Sequence, residues 1–234
     1  MTGEANTIFV VDDEPAILRA LERLLRGAGF EVRGFLSSQA FLEQHDPAIP
    51  GCAVLDVAMD GMNGLELQQK LAASGCERPV VFLSGRGDIP MSVRAMRAGA
   101  VSFLTKPVRA EDLLAAIRLA IEKDDTARRA HRELDAIGRR LATLTPRETE
   151  VLRRVIAGRL NKQIAGELGT AEKTIKVHRA RVMEKMGVRS VAELVRMTDQ
   201  AGFMPADMRS GADPDSPDWM GLRSIYDLRH GRRN

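Results

Sequence analysis

The first half of this 234-residue chain alternates short apolar runs with segments of helical periodicity, and this alternation constrains the fold more than any other feature. The apolar runs predict strands at 7–11, 30–35, 53–55, 79–83 and 101–104. Helical spacing with Gly and Pro boundaries predicts helices at 15–27, 38–43, 64–73, 89–98 and 109–123. Near-continuous apolar strands that alternate with helices form a parallel sheet covered on both faces. The predicted fold class is therefore α/β, a doubly wound five-stranded parallel sheet.

Four of these strands end in polar residues that suit phosphoryl chemistry. They are Asp12 and Asp13 after the first strand, Asp56 after the third, Ser84 after the fourth and Lys106 after the fifth. The carboxyl ends of parallel strands meet at one sheet edge, where ligands bind. Clustered carboxylates repel unless a cation neutralises them, and oxygen ligands around an open face suit Mg²⁺. A carboxylate can attack phosphorus, while Mg²⁺ and a lysine compensate the phosphoryl charge. The alternative, an acidic surface cluster with one paired lysine, explains five such residues poorly.

Charge is divided unequally between the two halves of the chain. Residues 1–125 hold 13 Lys/Arg and 18 Asp/Glu, a net charge of −5, whereas residues 126–234 hold 22 and 14, a net charge of +8. The basic half is thus a candidate for a polyanion partner. No apolar run approaches the ~18 residues of a membrane span, and residues 1–6 do not resemble a secretory signal. Cys52 and Cys76 lack metal-ligand spacing, so a reducing cytoplasmic location without a membrane partner is expected.

Residues 143–201 predict a second, smaller, all-α domain. Thr145-Pro146-Arg147-Glu148 has the pattern of a capping box at a helix start, and Asn161 is expected to cap the next helix. The second and third helices, the latter at about 172–186, are separated by a few residues around Gly169, which is helix-turn-helix spacing. Residues 143–200 hold 12 Lys/Arg and 7 Asp/Glu, which suits phosphate neutralisation. A small helical bundle with a solvated basic face is the alternative.

Motifs at the ends of the first-half elements carry a family resemblance. They are Val10-Val11-Asp12-Asp13-Glu14, Leu55-Asp56-Val57, Gly61-Met62-Asn63-Gly64, Phe82-Leu83-Ser84-Gly85 and Phe103-Leu104-Thr105-Lys106-Pro107. This half, residues 5–124, resembles the flavodoxin-like receiver domain of two-component response regulators. The resemblance implies that Asp56 is the phosphoacceptor. The implied Mg²⁺ ligands are Asp12, Asp13, Asp56 and the backbone carbonyl of Ala58.

The same resemblance assigns further roles near the phosphoacceptor. Ser84 and Phe103 occupy the positions of the hydroxyl and aromatic switch residues, and Lys106 that of the phosphoryl contact. The family also implies a cis bond between Lys106 and Pro107. Asp60 is a departure, because many receivers have proline there, and it adds a negative charge near the site.

The second half also carries a family resemblance. Its motifs are Leu144-Thr145-Pro146-Arg147-Glu148, Asn161-Lys162-Gln163-Ile164-Ala165, Thr174-Ile175-Lys176-Val177-His178-Arg179 and Met183-Glu184-Lys185-Met186-Gly187-Val188. They resemble the LuxR-type helix-turn-helix of NarL/FixJ regulators. The resemblance assigns contacts with base edges to Lys176, Val177 and Ala180, and phosphate contacts to Asn161, Lys162, Lys173, Thr174 and Arg181. His178 is expected to be packed or phosphate-facing. Ala171 is a departure, because a capping serine is common there and only Thr170 could replace it.

Three other segments give weaker signals. The helix at 89–98 resembles the dimer face of FixJ-type receivers, although core packing of at least some of Ile89, Val93 and Met96 is the simpler interpretation. Residues 125–142 are expected to be a helical linker, and a solvated flexible linker is the alternative. A coiled-coil contact is indicated by the near-heptad spacing of Leu134, Ile137, Leu141 and Leu144. The tail, 202–234, is expected to be largely disordered, especially at 205–218, with a short helix or docking segment at 219–226.

These observations predict a phosphorylation-dependent DNA-binding transcriptional regulator of a two-component system, and not an enzyme. The resemblance favours activation of transcription. The expected partners are a histidine kinase, double-stranded DNA, a second copy of the chain after phosphorylation, and RNA polymerase. Two alternatives remain: a phosphorylation-controlled protein- or RNA-binding module, and an Mg²⁺-dependent phosphohydrolase. The second would need a general acid beside Asp56 and a substrate cap, and the sequence offers neither.

Overall fold

The computed structural model describes residues 6–85 and 89–205, which divide into two compact units between Arg129 and Ala130. The strands of the first unit are β1 (Thr7–Val11), β2 (Glu31–Phe35), β3 (Gly51–Asp56), β4 (Val80–Ser84) and β5 (Ser102–Thr105). Its helices are α1 (Pro15–Gly27), α2 (Ser38–Gln44), α3 (Gly64–Ala73), α4 (Ile89–Arg97) and the beginning of α5 (Ala110–Ala142). The alternation of strands and helices is confirmed, and only the end of α5 lies far from its expected position.

The five strands form one parallel sheet in the order β2-β1-β3-β4-β5. Alternate strand residues point to opposite faces, so the sheet separates two buried clusters. One contains Ile8 and Val54 and is covered by α1 and α5; the other contains Phe9, Leu55 and Phe82 and is covered by α2, α3 and α4. The strand order reverses direction between β1 and β3. A crevice therefore lies at their carboxyl ends, where Asp12 and Asp56 are found.

A polar network fixes the amino-terminal end of β3. Asp124, on α5, is buried and accepts hydrogen bonds from the N–H of Gly51 (2.8 Å) and from Nε of Arg128 (2.7 Å). Arg78 is also buried and donates to the carbonyl of Gly51 (3.1 Å). Gly51 has a φ of 133°, and a Cβ there would overlap the first carbonyl of β1, so the position requires glycine. This network therefore anchors the end of β3 opposite to the one that carries Asp56.

Helix α5 is continuous from Ala110 to Ala142, so residues 125–142 are helical. Its carboxyl-terminal part does not present a free apolar seam. Ile137 is buried in the core of the second unit, and Leu141 packs against the same core. The near-heptad spacing there thus reflects packing within the second unit. Of the residues considered for this seam, Leu134 has an exposed side chain.

The second unit contains helices α6 (Pro146–Ile156), α7 (Asn161–Glu167), α8 (Glu172–Met186) and α9 (Val191–Gln200). Its core is apolar and includes Leu152, Ile164, Ile175, Val182 and Met186. The capping box of α6 is confirmed, with the Thr145 hydroxyl and the Glu148 carboxylate satisfying each other's backbone N–H groups. Within the described ranges, no helix combines the length and apolar character needed to cross a bilayer.

Two expectations about helix starts in this unit are corrected, and a small part of the expected tail is described. Asn161 is the first residue of α7 and does not cap it; its side chain accepts a hydrogen bond from Arg179 (3.1 Å) instead. Helix α8 begins after Ala171 without a side-chain cap, so Thr170 does not replace the missing serine. Phe203 lies in the expected tail, but the guanidinium of Arg153 lies over its ring, 4.4 Å from the ring centroid. The expectations for 206–234 fall outside the described residues.

Candidate functional site

Three carboxylates meet at the carboxyl ends of β1 and β3. Oxygen atoms of Asp12, Asp13 and Asp56 all lie within 4.8 Å of one another. Asp12 and Asp56 are buried, and Asp13 is half-buried. Three negative charges at this separation repel strongly in a buried setting, so the cluster favours binding of a cation. The sequence-based expectation that these residues converge is thus met by the geometry.

Lys106 supplies the only fixed positive charge seen in this cluster among the described residues. Its Nζ lies 2.7 Å from Oδ2 of Asp12 and 3.2 Å from Oδ1 of Asp56. Burial disfavours the ammonium form, but the hydrogen bond to Asp12 and the charges of both carboxylates outweigh it and raise the pKa of Lys106. The expected cis bond between Lys106 and Pro107 is present. The Lys106 N–H also donates to the carbonyl of Ser84 (2.7 Å), which ties β5 to the end of β4.

Asp56 is held in an environment that disfavours its negative charge. Burial raises its pKa, and the charge of Asp12 adds to the effect, while the ammonium of Lys106 and the N–H of Ala58 oppose it. Its Oδ1 is buried and makes no hydrogen bond with the described residues, although it is ion-paired with Lys106. One lysine leaves three carboxylates under-compensated. An oxygen donor set with an orphaned buried atom fits a hard divalent cation such as Mg²⁺.

The loop after β3 is built closely around Asp56. The N–H of Val57 donates to the carbonyl of Leu83 (2.9 Å), and the N–H of Gly64 donates to the carbonyl of Val57 (3.2 Å). A Cβ on Gly64 would overlap the carbonyl oxygen of Asp56, so the loop returns too near the strand end for any other residue. Asn63 then caps α3 through a capping box. The Gly-Met-Asn-Gly stretch is therefore explained by a tight return followed by a helix start.

The two expected switch residues occupy different positions relative to this loop. Ser84 is buried at the carboxyl end of β4, beside Asp56, which pairs in register with the preceding residue of that strand. Phe103 is half-buried on β5, with its ring centroid 6.3 Å from that of Phe82. The structure thus brings Ser84 to the edge that holds the carboxylates, whereas Phe103 lies within the side of the sheet covered by α4.

Helix α4 corrects the expectation that some of its apolar residues pack in the core. Ile89, Val93 and Met96 are 76%, 43% and 47% exposed, and Ala95 is the one residue of the helix that is buried. Gln68 holds the end of this helix by donating to the carbonyl of Ala98 (3.1 Å). Met91, which is partly buried, packs against the same core as Ala95. The spacing of Ile89, Val93 and Met96 therefore marks a surface, because Ala95 and Met91 already supply the core contacts of this helix.

A second candidate site lies on α8 and the start of α7. Exposed side chains are present at Lys162, Lys173, Thr174, Lys176, Val177, Ala180 and Arg181. Sequence reasoning missed two participants in this region. Glu172 lies 3.2 Å from Lys176 as an ion pair, and Arg179 engages the half-buried Asn161. The spacing of four residues between Glu172 and Lys176 could have revealed the first pair, whereas no local spacing indicates the second.

His178, next to these residues, is half-buried. Its Nδ1 is buried and has no hydrogen-bond partner among the described residues. This placement agrees with a packed side chain.

Two family matches cover most of the described chain. Residues 8–118 match the response regulator receiver domain, and residues 142–198 match the bacterial regulatory proteins of the luxR family. The chain belongs to the DNA-binding response regulators. Membership places the three carboxylates in a receiver domain and α8 in a LuxR-type helix-turn-helix.

Full-length relatives share both halves of this response regulator. It is 44% identical to Nodulation protein W of Bradyrhizobium diazoefficiens over 86% of this chain and 89% of that protein. It is 43% identical to the response regulator protein TodT of Pseudomonas putida, over 86% and 88%. Among solved structures, the response regulator StyR is similar with a TM-score of 0.78 and 47% identity, covering 84% of this chain and 99% of that one.

These relationships establish the general function of the chain. It is a transcriptional regulator whose DNA-binding function depends on phosphorylation, and it belongs to a family of transcription factors and not of enzymes. A receiver domain implies a histidine kinase as partner, and the luxR-family domain implies DNA as ligand.

Proposed function

We propose that Asp56 is the phosphoacceptor of this response regulator. The observation that carries the proposal is the buried Asp56 carboxylate, which has one oxygen without a hydrogen bond and lies beside Asp12, Asp13 and Lys106. In the transfer, an Asp56 oxygen forms a bond to the phosphorus of a phosphohistidine. The phosphorus–nitrogen bond breaks, and its electron pair stays on the imidazole.

The surrounding residues would hold and compensate the transferred group. Asp12, Asp13, Asp56 and the backbone carbonyl of Ala58 would hold Mg²⁺, which neutralises charge on the phosphoryl oxygens when it is bound. Lys106 lies within 3.2 Å of Asp56 and would exchange this ion pair for one with the phosphoryl group. The Ser84 hydroxyl would donate to a phosphoryl oxygen. Phe103 would follow the movement of this edge, because its ring packs beside the same strands.

Acyl-phosphate labelling of the full chain tests the phosphoacceptor. Asp56→Asn should abolish the mass gain of one phosphoryl group, while the exposed carboxylate change Asp125→Asn, in the same unit, should leave it intact. Retention of the label on Asp56→Asn would reject the assignment. Chelation of divalent cations should suppress labelling of the wild type, and labelling at an undiminished rate would reject the Mg²⁺ role.

The proposed DNA interface divides into readers and anchors. Lys176, Val177 and Ala180 would contact base edges in the major groove. Asn161, Lys162, Lys173, Thr174 and Arg181 would contact phosphates. The exposed positions of all but Asn161 support contacts with DNA. Asn161 is half-buried, and its Oδ1 accepts from Arg179, which leaves its side-chain amide nitrogen as the donor to a phosphate.

Selection of DNA sites by matched lysine variants tests the division. Lys176→Ala should change the base preference at one position of the site, because a reader is lost. Lys173→Ala, in the same helix, should weaken binding to all sequences about equally. If Lys176→Ala selects the same sequences as the wild type, Lys176 is not a reader.

We further infer that phosphorylation promotes a homodimer through α4. The exposed Ile89, Val93 and Met96 support an apolar contact there. Val93→Asp should prevent the dimer that acyl phosphate induces, as measured by sedimentation. Leu36→Asp changes an exposed leucine after β2, at the opposite sheet edge, and should not. Equal dimerisation of both variants would remove α4 from the interface.

The proposed division of labour follows the chain. Residues 5–124 would receive the phosphoryl group, residues 143–201 would bind DNA, and residues 125–142 would join them as helix, with 202–234 as a tail. Bound dimers would activate transcription through contact with RNA polymerase. In a purified transcription assay, the phosphorylated wild type should raise transcript yield from a selected site, and a fall in yield would identify a repressor.

A further inference from the structure

Helices α7 and α8 are joined by a hydrogen bond between two side chains at the proposed DNA interface. Nη1 of Arg179 donates to Oδ1 of Asn161 over 3.1 Å, although the two residues lie 18 positions apart in the chain. Both side chains are half-buried. Within the described ranges, this is the one hydrogen bond that the Asn161 amide makes. The side chain of the first residue of α7 is therefore held by the middle of α8.

The chemistry of this pair fixes which way the Asn161 amide faces. A guanidinium has N–H donors and no acceptor, so it can bind the oxygen of the amide but not its nitrogen. The two N–H groups of Nδ2 are then directed away from Arg179, and they have no acceptor among the described residues. Phosphate oxygens accept hydrogen bonds, so the free end of the amide is the end that suits a phosphate.

An unrestrained asparagine would present either end of its amide. Rotation by half a turn about the last side-chain bond exchanges oxygen and nitrogen, and this torsion is broad and roughly two-fold. In the rotated form, Oδ1 would face the phosphate, and two acceptors cannot form a hydrogen bond. A side chain that is fixed before binding also avoids the entropic cost of being ordered by the DNA.

We propose that Arg179 is a positioning residue for DNA binding, which orients the Asn161 amide so that Nδ2 donates to a phosphate. The inference rests on the phosphate contact proposed for Asn161. Arg179 acts through Asn161 and is not itself a phosphate contact. The two residues should therefore behave as one unit when DNA binding is measured.

A double-mutant cycle in the full chain tests this coupling. Affinity is measured by fluorescence anisotropy, for a duplex selected by the wild type and for one of unrelated sequence. Asn161→Ala should weaken binding to both about tenfold or more, because a hydrogen bond to a charged group is lost. Arg179→Met should weaken binding about two- to tenfold in the wild type, and by less than about 1.5-fold when Asn161→Ala is already present. Equal losses with and without Asn161→Ala would overturn the proposal, because a loss of folded structure would also act equally in both.

The salt dependence of binding distinguishes positioning from direct contact. Arg181→Met is the matched control in the same helix, because Arg181 is exposed and is proposed to contact a phosphate itself. It should reduce the slope of log affinity against log salt by about 0.9, and Arg179→Met should reduce it by less than half as much. Equal reductions would identify Arg179 as a phosphate contact and overturn its positioning role. Undiminished affinity of Asn161→Ala would instead reject the proposed Asn161 contact, and the role of Arg179 with it.

Discussion

The ion pair between Glu148 and Lys185 joins α6 to α8, and its two members differ in exposure to solvent. Glu148 is 3% exposed, and its Oε2 lies 2.6 Å from Nζ of Lys185 and 2.9 Å from the N–H of Thr145. Lys185 is 33% exposed and has a second acceptor, the carbonyl of Thr143, at 3.0 Å. Removal of the lysine therefore leaves a buried charge without its counter-ion, whereas removal of the carboxylate leaves a cation that still reaches water.

This asymmetry gives different magnitudes for the two substitutions. Lys185→Met should lower the free energy of unfolding of the second unit by about 3–5 kcal/mol, the usual cost of an unpaired buried charge. Glu148→Gln should cost about 1.5–3 kcal/mol, because it loses a charge-assisted hydrogen bond but glutamine can still serve in the capping box. Lys176→Met is the matched control in the same helix, and its exposed pair with Glu172 should contribute less than about 1 kcal/mol.

Native-state hydrogen exchange of the α6 and α8 amides measures these differences within the full chain. The reasoning would be refuted if Lys185→Met destabilised the unit no more than Lys176→Met. It would also be refuted if Glu148→Gln were the more damaging of the two changes at the pair.

The same pair predicts a pH dependence with a definite sign. Burial would raise the pKa of Glu148, but Lys185 and the Thr145 N–H outweigh it and lower the pKa. A carboxylate with a lowered folded pKa stabilises above its unfolded value, about 4.3, and this contribution is lost as the pH falls through the folded pKa. The difference between the wild type and Lys185→Met should therefore shrink below pH about 4.3. A difference that stayed constant as the pH fell further below about 4.3 would contradict the assignment.

Three further changes test other contacts. Gly64→Ala should destabilise the first unit by about 1–3 kcal/mol in urea unfolding, because the added methyl overlaps the carbonyl of Asp56; an unchanged midpoint would contradict this. Asp124→Ala should cost about 1–3 kcal/mol in the same assay, because the buried N–H of Gly51 and Nε of Arg128 lose their acceptor while the rest of that guanidinium keeps its backbone carbonyls; a loss below about 1 kcal/mol would show that water replaces the carboxylate. Glu172→Gln should tighten binding to unrelated duplexes about two- to fivefold at low salt, because it frees Lys176; unchanged affinity in a salt-dependent titration would show that the pair does not compete with DNA.

The sequence predicted those features that depend on neighbours in the chain. Strand and helix positions follow from hydrophobic period, and most were within two residues of the observed bounds. The capping box at Thr145 follows from residue types three positions apart. The meeting of Asp12, Asp56 and Lys106 could also be predicted, because parallel strands with helical crossovers bring their carboxyl ends to one edge.

The hydrophobic periodicity of a helix predicts that it has an apolar face but does not show what covers that face. Ile89, Val93 and Met96 have the spacing of core residues but lie on the surface, and Ile137 and Leu141 have the spacing of a coiled coil but pack in the second unit. The same pattern serves burial within a domain and contact between molecules. Only the positions of the other elements decide between them.

Tertiary structure also decided which partners the polar groups of the site take. From the sequence, Asp60 was expected only to add a negative charge near the site. In the structure, its backbone N–H donates a hydrogen bond to Asp13. Likewise, Asn161 was predicted to cap α7, whereas its side chain accepts a hydrogen bond from Arg179 in the structure. A hydrogen bond from a backbone N–H cannot be predicted from residue type, because almost every residue has this donor. A hydrogen bond between residues far apart in the chain cannot be predicted from a periodic pattern either. The sequence by itself therefore determined that carboxylates and a lysine gather at the end of β3, while three-dimensional packing determined how firmly each of them is held.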